Sequence, residues 1–328
     1  MIKYISKRIL YMLFVFAIMS LILFLIFSMV PGDPAATEME PLREQLTAEE
    51  FEIRYQMIRQ QMGLDDPLYI RYLKWAGNLL RGDLGMSSKF KAPVTEVMKA
   101  PLKVTLLMNI LSLFFTFLIT IPLGIYTAVK KNSIFDKFTQ IVTVVGYSVP
   151  SYIFGLIFIY IFAVKLNLLP VSGLKTANFS GTAVEAALDM AKHLALPLMV
   201  MVFSSLSGLT RYIRAAMGDA LTMDYIKTAR AKGLKEKVVI LSHAWRNALL
   251  PVITLLISWI TSIFGGSIII ENLFNLGGLG KLFYDALLNQ DYNLALAGNM
   301  FYIFIALVGN LITDLSYGMV DPRVRVNK

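Results

Sequence analysis

Six apolar runs, near residues 9–30, 104–129, 138–165, 194–217, 251–271 and 297–318, dominate this chain. Each is about 20 residues or longer, the length of helix that crosses a hydrocarbon layer of about 30 Å. A backbone placed in hydrocarbon must satisfy its own polar groups, so such runs fold as helices. The pattern predicts an all-α polytopic membrane protein with six transmembrane helices. The composition agrees, because 56% hydrophobic against 16% charged residues lies outside the range of soluble globular chains. Lys3, Lys7 and Arg8 precede the first run, as in a secretory signal. That run reaches Val30 without a small-residue cleavage site, however, and reads as a retained first helix.

The net charge of +9 raises the question of nucleic acid. The placement of the basic residues answers it. Lys3, Lys7 and Arg8 flank the first run, and Lys130, Lys131 and Lys137 separate the second from the third. Between Arg211 and Arg246 there are eight basic residues against Asp219, Asp224 and Glu236, and the tail adds Arg323, Arg325 and Lys328. The segment between the fifth and sixth runs carries Glu271, Asp285 and Asp291 against Lys281 alone. Lysine and arginine concentrate in cytoplasmic loops, so this distribution predicts six helices with both termini cytoplasmic and no nucleic-acid partner. The chain has no cysteine and only two isolated histidines, His193 and His243, which speaks against disulfide, redox and zinc chemistry and leaves no metal site to assign.

The expected organisation is an N-terminal helix over 1–30, an extracytoplasmic segment over 31–103, a five-helix core over 104–320 with a cytoplasmic loop at 218–250, and a cytoplasmic tail over 321–328. In the external segment Pro31, Gly32, Asp33 and Pro34 break the first helix, and Thr47 followed by Glu50 has capping-box spacing. The shorter external stretch 166–193 reads either as a connector or as carrying a surface helix from Thr182 to Lys192.

The 219–251 stretch is the most ordered of the polar segments. Leu221, Tyr225, Ala229 and Gly233 fall four apart and are expected to share one helix face. Thr222 is placed to cap the start, Asp224 puts negative charge in the first turn, Lys227, Arg230 and Lys232 put positive charge toward the end, and Gly233 tolerates a left-handed stop. Two readings stand: an interfacial helix pair held to anionic headgroups of membrane lipid, or a docking surface steered by its basic side chains toward an acidic groove.

These residues carry a resemblance. Asp224-Tyr225-x3-Ala229-x3-Gly233, with Arg246, Asn247 and Pro251 downstream, resembles the cytoplasmic signature loop of ABC importer permeases. The match is nearest to the oligopeptide/dipeptide/nickel family, in its B-type subunit with a long external segment. VPGDPA at 30–35, GYSVPSYIFGL at 146–156, LLPVSG at 168–173, ENLFNLGGLGKL at 271–282 and DPRVR at 321–325 extend it over almost the whole chain. The loop departs from the general importer signature at Lys227, Thr228, His243, Trp245 and Arg246, as the peptide subfamily does.

The resemblance implies a type I ABC importer permease fold in a bacterial or archaeal cell membrane. It implies a heterodimer with a second homologous permease, two ATP-binding subunits that hold ATP and Mg, and an extracytoplasmic substrate-binding protein. Leu221, Asp224, Tyr225, Thr228, Ala229, Arg230, Lys232 and Gly233 then form a coupling helix in a groove of the ATPase. The chain lacks a G-x-x-x-x-G-K-[ST] phosphate loop, since Gly277-Gly278-Leu279-Gly280-Lys281 has neither the spacing nor the hydroxyl, so no catalytic or cofactor-binding residue is assigned here. Polar groups inside spans are costly toward lipid, which makes Asn109, Thr143, Ser148, Ser151, Ser258, Thr261, Ser262 and Asn310 candidates for the translocation path. Hydrogen bonding to a neighbouring helix or to their own backbone is the competing role for each. Asp314 reads as an interface charge. Peptides are the expected cargo, with nickel or metal chelates, glutathione-like compounds and other small solutes as alternatives. A stand-alone secondary transporter or channel is the alternative of another class. It would favour repeats and buried ionisable groups, and a membrane-embedded enzyme would want a cluster of His, Asp or Glu; neither pattern is evident.

Overall fold

A computed structural model describes residues 2–320, so the DPRVR tail lies outside the described residues. The first helix, α1 (Ile2–Met29), is apolar around its circumference beyond Arg8, as a lipid-facing helix must be. Asp33 caps α2 (Pro34–Met39) by accepting the Ala35 amide, and the expected Thr47–Glu50 capping box opens α3 (Ala48–Gln61). Next comes α4 (Leu68–Leu80). It is followed by α5 (Val94–Val129), whose 36 residues span about 54 Å at about 1.5 Å per residue, well beyond the hydrocarbon thickness.

The third predicted span is two helices. α6 (Ile134–Ser148) stops at Val149-Pro150, where proline removes a donor and forces its predecessor out of the helical region. α7 (Ser151–Phe158) restarts at 106° to it and runs into a π-helical stretch, Ile159–Lys165. α8 (Ala183–Thr222) begins with a Thr182–Glu185 capping box. The stretch from Thr182 is therefore the first turns of the fourth spanning helix and not a separate surface helix. The charged 219–251 segment contains α9 (Asp224–Ala231) and α10 (Glu236–Val238). A π-helical stretch, Val239–Trp245, then leads into α11 (Arg246–Thr261) and a 3-10 turn, Ser262–Phe264. Helix thus starts well before Pro251, and the fifth run stops short of 271. α12 (Ile268–Leu273) is separate, capped by Ser267, because Gly265 and Gly266 interrupt the helix. α13 (Leu279–Leu288) and α14 (Tyr292–Val320) complete the described residues. Among the described residues four helices are long and apolar enough to cross a membrane, and up to six spans result if each bent pair counts as one.

The chain divides into two compact units. The first comprises the described residues of Met1–Lys103 and Gly278–Leu311. Its core is built from Val94, Met98, Leu279, Phe283 and Leu294, and Asp291 is fully buried inside it. The Asp291 carboxylate accepts the Ser87 hydroxyl and the amides of Lys89 (3.2 Å) and Leu294 (3.3 Å), which caps α14. The second unit comprises Val104–Gly277 and the described residues from Ile312. Here α6 and α7 lean on α8, and Gly146 is required for the first contact: a Cβ there would lie 2.2 Å from Ser207 Oγ. Small residues let spanning helices approach where apolar bulk gives no advantage over lipid.

Candidate functional site

The 219–251 segment is shaped by two breaks. Met223 is extended (φ −71°, ψ 152°) and turns the chain between α8 and α9. Thr222, expected to cap α9, instead donates its hydroxyl back to the Asp219 carbonyl at 2.7 Å and so closes α8. At the other end Gly233 adopts φ +74°, which only glycine takes without strain. The Gly233 amide reaches Arg230 O at 2.9 Å and the Leu234 amide reaches Ala229 O at 3.4 Å, the paired bonds of a Schellman stop.

The face expected from spacing of four is not the face that forms. Leu221 belongs to α8 and Gly233 lies beyond the cap, so neither shares a helix with Tyr225. Within α9, Ile226 and Ala229 point inward, 0% and 4% exposed, into an apolar cluster with Met217, Val239 and Ala244. The three-residue spacing prevails because Ile226 supplies the apolar bulk and Tyr225 carries a polar end that stays in water. Asp224, Tyr225, Thr228, Arg230 and Lys232 are exposed. Arg230 bridges the turn to Glu236 with Nη2–Oε1 at 2.7 Å, and Lys227 pairs with Asp224 at 2.9 Å. The result is an exposed knob, basic by five residues to two over 224–237, on an apolar base.

A second link holds the base of this region, and sequence reasoning missed it. Arg214 on α8 grips Asp136 on α6 in a two-pronged pair, Nε–Oδ1 2.6 Å and Nη2–Oδ2 2.8 Å. The Asp136 side chain is fully buried and also accepts the Asn132 amide (2.8 Å) and the Gln140 amide nitrogen (3.2 Å). An arginine within a largely apolar helix and an aspartate in a first turn were the available signals. Their pairing depends on how α6 and α8 pack.

Of the path candidates, the structure brings two together. Asn109 and Ser262 line a polar cavity of about 180 Å³ with Ser112, Thr116, Ser205 and Trp259. Asn109 donates to Ile263 O (2.6 Å) and Gly265 O (2.8 Å), which satisfies carbonyls freed where the fifth spanning helix ends. Ser262 donates to Trp259 O at 2.7 Å. Thr143 is buried and bonded to Gln140 O within its own helix (2.9 Å). Ser148 and Ser151 stand on either side of the α6–α7 break, away from this cavity. Asn310 is exposed on α14, and the side chains of Ser258 and Thr261 lie outside the described residues. Thr116, with a buried hydroxyl that has no partner among the described residues, also lines this cavity and was not among the candidates read from the sequence.

Long apolar helices, two bent helix pairs and a charged exposed turn set on an apolar base define a polytopic helical membrane protein. Comparison with known proteins gives the family. The model of the binding-protein-dependent transport system inner membrane component matches residues 120–326, and the N-terminal model of the same systems matches residues 1–105. The chain belongs to this family of binding-protein-dependent transport system inner membrane components. It is 39% identical to the oligopeptide transport system permease protein AppB of Bacillus subtilis over 99% of each chain. It is 33% identical to the dipeptide transport system permease protein DppB of Escherichia coli K12 over the whole of both, and 32% identical to the glutathione transport system permease protein GsiC of Escherichia coli O6:H1 over 99% of each. An inward-facing structure of the MetNI methionine ABC transporter matches with a TM-score of 0.52 at 17% identity, covering 69% of this chain and 97% of that one, and shows the fold alone.

Proposed function

We propose that this chain is a permease subunit of an ATP-driven peptide importer, with α9 as the element that couples it to the ATPase. The observation that carries the reading is full-length similarity to permeases named for oligopeptide and dipeptide transport. In this reading the chain pairs with a second, homologous permease. Two ATP-binding subunits hold ATP and Mg, an extracytoplasmic binding protein delivers cargo, and both termini and the 218–250 loop are cytoplasmic in a bacterial inner membrane. The core over 104–320 carries the path, and Asn109 and Ser262 lie on it.

The geometry of α9 supports a docking role. Asp224, Tyr225, Thr228 and Lys232 project outward, while Ile226 and Ala229 fasten the helix to α8 and the π-helical stretch, so a force on the exposed face passes into two spanning helices. Arg230, held by Glu236, stiffens the knob. Purification from native membrane in mild detergent tests the assembly: two ATP-binding subunits and a second permease should be retained, and a lone or homo-oligomeric chain would sink the reading. The GsiC relative favours a second cargo, a glutathione-like compound. Uptake of a labelled tripeptide against labelled glutathione by the reconstituted complex separates the two.

A further inference from the structure

Where α1 ends, the first unit holds a pocket of about 130 Å³ whose walls include Phe27, Val30, Asp33, Arg59, Arg71 and Tyr292. Its charges are unevenly satisfied. Asp33 is fully engaged: Oδ1 accepts the Ala35 amide at 2.9 Å, and Oδ2 accepts the Tyr55 hydroxyl at 2.5 Å and the Arg59 guanidinium. Arg59 also gives Nε to Asp65 at 2.6 Å. The Arg71 guanidinium, by contrast, makes no ion pair or hydrogen bond among the described residues. The Tyr292 hydroxyl is buried with no partner among them either. Two donors without acceptors therefore line one small space, and with Arg59 shared between Asp33 and Asp65, Arg71 is the wall cation with no carboxylate partner among the described residues. A guanidinium and a phenol call for an oxyanion, and a buried polar group without a partner marks where it belongs.

The position of the pocket identifies the oxyanion. α4, which carries Arg71, packs on the last turns of the spanning helix α1: the Tyr72 and Ser20 hydroxyls lie 3.0 Å apart, and the Phe24 ring meets both Tyr72 and Trp75 at 5.5 Å. Tyr69 and Leu73 on the same helix are exposed. A helix bearing Tyr, Trp, Lys and Arg against the end of a span is the composition of the membrane–water interface. Leu21, Ile22 and Ile26 are exposed on α1, on the turns leading up to the pocket. We infer that the Arg71–Tyr292 pocket binds the phosphate of a membrane phospholipid, whose acyl chains lie along α1.

The test uses the full chain, purified in mild detergent, stripped of lipid and titrated with dioleoylphosphatidylglycerol while bound lipids are counted by native mass spectrometry. Loss of a charge-assisted contact should weaken the tightest lipid about tenfold in Arg71→Gln. Tyr292→Phe, which keeps the ring and its packing, should weaken it severalfold, Arg71→Lys should retain part of the affinity, and Lys74→Gln on the same helix should leave it unchanged. Full retention in both Arg71→Gln and Tyr292→Phe would overturn the assignment. An equal loss in Lys74→Gln would reduce it to diffuse surface charge, and displacement of the lipid by inorganic phosphate alone would make the pocket a site for a soluble oxyanion.

Discussion

Individual side chains decide two properties of this molecule. Asp136, buried, is matched by Arg214 in a two-pronged pair. Removing one partner of a buried pair leaves an uncompensated charge, so Asp136→Asn should cost about 3 kcal/mol. The apolar double replacement Asp136→Leu with Arg214→Met should cost less than either single change, and thermal unfolding in detergent compares them. Asp33 governs a pH response. Burial pushes its carboxyl up, but the Tyr55 hydroxyl, the Ala35 amide and the Arg59 guanidinium together outweigh that and hold it below the ordinary carboxylate value. A depressed pKa stabilises the fold above the unfolded-state value, near 3.9, and that contribution disappears as pH falls through the folded value. Protection against hydrogen exchange over 33–61, relative to the intrinsic rate at each pH, should therefore fall below about pH 4, and Asp33→Asn should show reduced protection at neutral pH with little further change. Neither carboxylate announced its role in the sequence, because the arginine partners stand 26 and 78 residues away.

At the scale of elements, the start and stop signals were legible where they are local. The box at Thr47–Glu50 and the stop at Gly233 each involve residues within a few positions of one another, whereas the Thr182–Glu185 box went unread and Thr222, expected to start α9, closes α8 instead. The face of α9 was misassigned, because spacing of four ignores the extended Met223 and the tertiary demand that buries Ile226. The element yields a graded prediction. Gly233 is left-handed with open space around its Cβ position, so substitution costs backbone strain and not packing. Gly233→Asn should keep substrate-stimulated ATP hydrolysis by the reconstituted complex, whereas Gly233→Val should lose it along with about 1–2 kcal/mol of stability. Ala229→Leu should act from beneath, overpacking a buried site by about 1–3 kcal/mol. Tyr225→Ala should leave unfolding within about 0.5 kcal/mol of the parent and still reduce the stimulation; unchanged stimulation would remove Tyr225 from the coupling face.

For the whole molecule, the charge distribution makes a prediction of its own. Reporters fused near Glu50 and Asp285 should read the outside and one near Lys235 the cytoplasm, and a cytoplasmic Glu50 would break the six-helix arrangement. The sequence by itself determined the class: a long apolar run in hydrocarbon satisfies its own backbone as a helix, and motifs spread along the chain mark its family. Only the tertiary structure decided where the third and fifth spans break, that Asn109 and Ser262 share a cavity while Thr143 bonds to its own helix, and that Arg71 and Tyr292 face one pocket from segments more than two hundred residues apart. The reason is physical. Hydrophobicity and capping act within a few residues and are written locally, whereas pairing of polar groups inside helices depends on which faces meet, and packing alone settles that.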